Sequence, residues 1–373
     1  MEKKYPFYFR CTVTLFGIVI FVYILFILRS ILVPLAFATM FAILLNPFVN
    51  WLRKKKIPGI AAIIIALLVS ILLVAGVMVF ISSQVVKFSD NLPLLKTRFA
   101  NIFTHFQVWL QSNYSISIAK QQQLMADAGD NLKPLVGQTL GTVLGTVSTV
   151  ILIPIYIFLM LFYKKLILNF LYEIFAEHNS TQVGHVLRET KTAIQSYMVG
   201  LLMEAIVVAI MNSAALMLLG VKYAILIGVI GAILNILPYI GGLIAIAIPI
   251  FIATMTTTGY TTQIGILVAY MIIQFIDNNI LVPRIVSSKV RINALVSIII
   301  VLLGGAVWGV SGMFLSIPFI AVLKIIFDRI NELKPWGKVL GDQVPVFHKG
   351  QLWGLRRRRK KPVPEEINVT ATP

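Results

Sequence analysis

Hydrophobic stretches of about the length of a spanning helix, separated by short basic or polar clusters, recur along nearly the whole chain. A hydrocarbon layer about 30 Å thick takes roughly 20 helical residues to cross. Segments of that size lie at 11–28, 31–52, 58–82, 139–163, 197–220 and 263–282, and two apolar runs are longer, 223–257 and 294–327. The pattern predicts an all-α fold, a polytopic transmembrane helical bundle with two broken or re-entrant helical hairpins and a small external helical region. Three spans occupy residues 1–82. An external, periplasmic helical region follows at 83–138. A transmembrane transport region takes 139–335, with cytoplasmic interfacial helices at 166–195, and a basic cytoplasmic tail takes 336–373.

The external stretch is polar, but Phe99, Ile102, Phe103, Phe106 and Leu110 recur at helical spacing, which predicts an amphipathic helix on a neighbour or on the lipid surface. Leu166–Phe175 and then Val183, Val186, Leu187, Ile194 and Tyr197 predict an interfacial helical hairpin turning at Asn179 and Ser180. Gly137, Gly141 and Gly145 fall at four-residue intervals, a spacing that lets another helix backbone approach.

The two long runs are 35 and 34 residues, too long for one span and short of two. The first is interrupted at Asn235, Pro238, Gly241 and Gly242, the second by Gly304, Gly305, Gly309 and Gly312. Proline removes a donor and glycine weakens a helix, so backbone groups are left to be satisfied at membrane depth. Each run returns to the side on which it began. Two hairpins entering from opposite faces are what an inverted-repeat transporter shows. Two pairs of thin, kinked spans without a site give the same loop sides.

Composition agrees with a membrane protein: 58% of residues are hydrophobic and 12% charged. The first apolar segment lacks a small-residue cleavage site and reads as a retained helix. One cysteine, Cys11, and four scattered histidines offer no metal cluster, and no cofactor is expected. The net charge of +18 lies largely in clusters flanking apolar segments, including Lys3, Lys4 and Arg10, Arg53–Lys56, and Lys164 and Lys165. These are orientation signals that put both termini in the cytoplasm. Arg356–Lys361 is read the same way, or as a contact to anionic lipid, with no nucleic-acid partner.

Two carboxylates lie within spans, Glu204 and Asp277. An ionised group there is costly, so each faces the bundle interior, paired or carrying a proton. Gln274, Asn278 and Arg284 surround Asp277 in sequence, and Gln274, Asp277 and Asn278 share a helix face by their spacing. These, with Asn235, are the candidate substrate or ion-binding residues. In the structural alternative Asp277 pairs with Arg284, Lys289 or Arg291, Glu204 snorkels or bonds a neighbouring helix, and Asn235 only satisfies broken backbone.

The motifs YMVG at 197–200, NILPYIGG at 235–242 with IAIAIP after it, QFIDNNILVPRIVSSKVRINAL at 274–295 and GGAVWGVSGMFLSIP at 304–318 resemble the autoinducer-2 exporter family of bacterial membrane proteins. The resemblance runs from about residue 10 to 335. It implies an inner-membrane transporter that forms homo-oligomers, with a pentamer as the expected state. Family members are assigned export of autoinducer-2 or proton-linked sodium or lithium antiport. The matched positions are Asn235, Pro238, Gly241 and Gly242, then Asp277, Pro283 and Arg284, then Gly304, Gly305, Gly309, Gly312 and Pro318. Where many members have a glutamine after the YxxG glycine, this chain has Leu201 and Leu202.

Together these readings predict a secondary transporter in the lipid bilayer, moving a small molecule or a monovalent cation against protons, and no enzyme. A passive channel and a membrane scaffold are the alternatives. Deleting residues 351–373 is expected to leave solute flux in proteoliposomes intact; a scaffold acting through its basic tail predicts loss of partner recruitment instead.

Overall fold

The computed structural model describes residues 6–89, 92–114, 117–121, 123, 151–175, 180–237, 241–257, 259–286 and 292–342. These form α1 (Phe7–Ile27), α2 (Arg29–Lys54), α3 (Gly59–Ser89) and α4 (Leu92–Tyr114). Next come α5 (Ile151–Phe162), α6 (Lys164–Phe175), α7 (Ser180–Leu218), α8 (Ala224–Asn235) and α9 (Gly241–Thr256). The chain continues as α10 (Thr261–Ile276), a π-helical segment (Asp277–Val286), α11 (Ala294–Arg329) and α12 (Lys334–Leu340). No strand occurs among the described residues. Gly137, Gly141, Gly145, Asn179 and Pro238 lie outside them.

α1 and α3 are apolar around their whole circumference, which suits a helix surrounded by other apolar groups on every side. The protein does not supply that surrounding. None of the hydrophobic window of α1 and only 11% of that of α3 is buried. Acyl chains do, and six helical stretches are long and apolar enough to cross a bilayer. The chain is a multi-pass helical membrane protein.

Packing inside the bundle uses small residues. Ala38 and Ala42 of α2 and Ala62 and Ala66 of α3 sit four apart and are buried with Ile157 and Leu161 of α5. Four-residue spacing of alanine lets backbones approach where no hydrophobic effect drives helices together. A second cluster joins α7 to α10 around Leu216, Ile227, Ala253 and Ile266, and a third joins α2, α7 and α11 around Met40, Met198 and Leu315.

The first arm of the expected interfacial hairpin corresponds to α6, bent 65° from α5, and the second runs on into the following span as α7, a continuous helix of 39 residues. No proline interrupts α7, and its two glycines, Gly184 and Gly200, cost only about 1 kcal/mol each. At this end Lys164 donates to Asn46 Oδ1 at 3.0 Å, and Arg329 pairs with Glu189. At the opposite end α4 packs on α9: the rings of Phe99 and Phe251 meet at a tilt with centroids 5.8 Å apart, and Arg98 donates to the Met255 carbonyl at 3.3 Å.

Both long runs fold back on themselves. α8 and α9 have 12 and 16 residues, about 18 and 24 Å at 1.5 Å per residue. Their junction is tight: a Cβ on Gly241 would lie 1.8 Å from the Leu234 carbonyl oxygen. In α11 the helix breaks at Trp308 and Gly309, where Gly309 has φ 60° and ψ −144°, a left-handed φ that favours glycine. Ser316 Oγ then lies 2.9 Å from the Ile300 carbonyl. In an unbroken helix those residues would be about 24 Å apart. The turn therefore sits at Trp308–Gly309. Gly304 and Gly312 face each other between the legs, Gly305 packs on Met313, and Pro318 is buried in the second leg. Trp308 Nε1 donates to the Leu25 carbonyl of α1 at 2.9 Å, tying the tip to the first span.

A Cβ on Gly304 would fall 2.0 Å from Ser316 Oγ and 2.5 Å from the Gly312 carbonyl oxygen. Gly304→Ala is expected to destabilise the protein by about 1–3 kcal/mol through overpacking. Ser316→Ala, which only removes a hydrogen bond, should cost about 1 kcal/mol or less. Thermal unfolding in detergent measures both, and equal midpoints would mean the legs do not pack at Gly304.

Candidate functional site

The polar groups inside the bundle converge where α7, the tip of the α8–α9 hairpin and the end of α10 meet. Asp277 stands where α10 widens into the π-helical segment, which contains Pro283. A proline ring clashes with the carbonyl four residues back in an α-helix, and the looser i→i+5 coil relieves that crowding. Runs of π-helix are rare and cluster at functional sites.

Asn235, the last residue of α8, donates from Nδ2 to Asp277 Oδ2 at 2.9 Å. A Cβ on Gly242, in the first turn of α9, would lie 2.8 Å from Gln274 Oε1 and 3.3 Å from Asn235 Oδ1. The absence of a side chain there lets the amides of Asn235 and Gln274 come together. Asp277 is 2% exposed, and its Oδ1 has no hydrogen-bond partner among the described residues. Glu204 of α7 is 7% exposed, and α7 packs along the π-helical segment that begins at Asp277.

Four of the residues singled out in the sequence, Glu204, Asn235, Gln274 and Asp277, are thus brought to one place. Arg284 is elsewhere: with Gln195, Ser196, Gly200 and Met203 of α7 it lines a cavity of about 530 Å³. No ion pair joins it to Asp277 among the described residues, and Lys289 and Arg291 lie outside them. Asn278 is exposed. The helix changes phase at Asp277, so the spacing that put Asn278 on the face of Gln274 does not hold. Pro283 is also exposed.

Gln195 and Ser196 were not evident as cavity-lining residues, since they precede the apolar stretch and read as an interfacial face. Asn212 and Tyr270 were also missed. Asn212 is 2% exposed and Tyr270 3%, and a Cβ on Gly231 of α8 would lie 3.3 Å from Asn212 Nδ2 and 3.8 Å from the Tyr270 hydroxyl. One signal was available, an amide within the otherwise apolar stretch around Asn212.

The family model for AI-2E family transporters matches residues 15–332, from α1 through the second leg of α11. The chain belongs to the AI-2E transporter family. YueF of Bacillus subtilis strain 168, which carries a provisional transport assignment, is 25% identical over 324 residues, covering 83% of this chain and 87% of YueF. The AI-2 transport protein TqsA of Escherichia coli strain K12 is 22% identical over 300 residues, covering 80% and 86%. The match to the AI-2E family spans all four elements that build the carboxylate site, and a transport role follows from membership.

Asn235→Leu would strip Asp277 of its donor and is expected to cost about 1–3 kcal/mol. Adding Asp277→Leu should recover part of that loss, since no polar group is then left unpaired. Thermal midpoints of the two single variants and the double variant in detergent test the coupling; simple additivity would mean that Asn235 and Asp277 act independently.

Proposed function

We propose that this AI-2E family protein is a secondary transporter of the bacterial inner membrane, with both termini cytoplasmic. It exports a small molecule related to autoinducer-2, or a monovalent cation, in exchange for protons, and works as a homo-oligomer. The observation that carries the reading is the buried pair Glu204 and Asp277 at the tip of a helical hairpin. Two buried carboxylates on packed helices, with no ion pair to either among the described residues, call for positive charge from outside the protein. A proton or a metal cation supplies it, and exchange of one for the other is antiport.

Alternating access needs elements that can move against each other. Among the described residues the α8–α9 hairpin holds Asp277 by one hydrogen bond, from Asn235, and its short legs leave it able to rock against α10. The cavity beside α7, about 530 Å³, is in the range of small-molecule sites, roughly 300–1,000 Å³. Its Arg284, Gln195 and Ser196 offer donors to an oxygen-rich solute. The name of TqsA supports the autoinducer-2 arm; the paired carboxylates support the cation arm.

The deciding measurement is internal pH in proteoliposomes after sodium, lithium or the furanone is added to wild type and to Asp277→Asn. A pH change caused by one solute and abolished by Asp277→Asn is the expected result and names the substrate. Solute leak without any pH change would replace antiport by a passive channel.

A further inference from the structure

Beyond the carboxylate pair, the buried side-chain oxygens line up. Four buried side-chain polar atoms have no hydrogen-bond partner among the described residues: Gln263 Oε1, Tyr270 Oη, Asn212 Oδ1 and Asp277 Oδ1. Three are amide or carboxylate acceptors, which water or a cation satisfies, and the Tyr270 hydroxyl both donates and accepts.

Their placement is not scattered. Gln263, Tyr270, Gln274 and Asp277 follow at spacings of seven, four and three along α10, within roughly 60° of arc at 100° per residue. The opposite face, Val268, Met271, Ile272 and Phe275, is exposed and apolar. Asn212 joins the file from α7: its Nδ2 and the Tyr270 hydroxyl both lie against Gly231 of α8, where a Cβ would fall 3.3 and 3.8 Å from them. Gln274 meets Asn235 across Gly242, and Asn235 bonds Asp277. The file runs about 21 Å, from the first turn of α10, near the end of α9 that α4 covers, to the carboxylate.

We propose that this file is an access route for water and a monovalent cation or hydronium ion, leading from the α4 end of the protein to Asp277, with Asn212 and Tyr270 at its middle. An anion or an apolar solute does not use it. The route gives Asp277 one side of the membrane, while the cavity with Arg284 opens on the other. This rests on the reading of Asp277 as the coupling residue, but its test does not.

Cys11 is the only cysteine in the chain, so Cys11→Ala gives a background for single cysteines at positions 212, 263 and 270, with position 38 as control. Ala38 is 0% exposed and lies on α2 in a separate apolar cluster. Each variant is checked for its oligomeric profile, reconstituted, exposed to Ag⁺ from either side, and scored by residual maleimide labelling after denaturation. Cysteines at 263, 270 and 212 are expected to be blocked from the α4 side more than about tenfold faster than at 38, a difference of about 1.4 kcal/mol in barrier. Rates equal to that at 38 overturn the route. If cysteine at 212 disturbs folding, positions 263 and 270 decide. Fast block together with unchanged proton flux in Asp277→Asn keeps the route and removes Asp277 from coupling. Lost flux in Asp277→Asn with no fast block does the reverse. Tyr270→Phe, which keeps the ring and removes the hydroxyl, should slow proton-linked flux without changing thermal stability by more than one hydrogen bond's worth, about 1 kcal/mol.

Discussion

A peptide group in hydrocarbon has no water to bond, so its N–H and C=O must find partners within the protein. Nearly every feature of this chain follows from that demand. It enforces helices throughout the described residues, and it decides where a helix is permitted to stop. The breaks after Asn235 and at Trp308–Gly309 are tolerable because other parts of the protein close around them. Leu234 and Gly241 meet backbone to backbone at the first. At the second, Gly304 and Gly312 do the same, and Ser316 covers the Gly312 carbonyl at 2.6 Å.

Once the backbone is satisfied, the side chains left unsatisfied become informative. A soluble protein can leave a buried acceptor near a water channel at little cost. In an apolar bundle the same atom costs several kilocalories per mole unless something fills the space beside it. Asp277 is held from one oxygen by Asn235, and its other oxygen has no partner among the described residues. The hairpin tip thus positions the carboxylate without neutralising it, an arrangement suited to a charge that is to be exchanged.

The polar cluster also links the fold to motion. Asn235 and Gly242 belong to the hairpin, Gln274 and Asp277 to the end of α10, and Glu204 to α7, so the polar cluster joins three elements at once. The π-helical segment after Asp277 is wide and carries Pro283. It is the least regular part of this region and the natural place for α10 to flex. α7, continuous over 39 residues, offers the rigid reference.

How much of this was legible in the residues differs from part to part. Spans were legible because hydrocarbon thickness sets a length that apolar runs must match, and the breaks because glycine and proline carry their backbone consequences locally. Glu204 and Asp277 stood out because charge within an apolar run is costly wherever it points. That Asn235, Gln274, Asp277 and Glu204 meet, and that Asn278 does not, was not legible. It depends on hairpin packing and on a change of helical phase at Asp277. Asn212 and Tyr270 were hidden for a related reason: alone, an amide or a phenol in an apolar stretch reads as ordinary core. The sequence by itself determined the membrane class, the helices and their breaks, since these follow from composition and spacing along one chain. Only the tertiary structure decided which polar atoms face one another and which are left without partners, because that is a property of elements packed from distant parts of the chain.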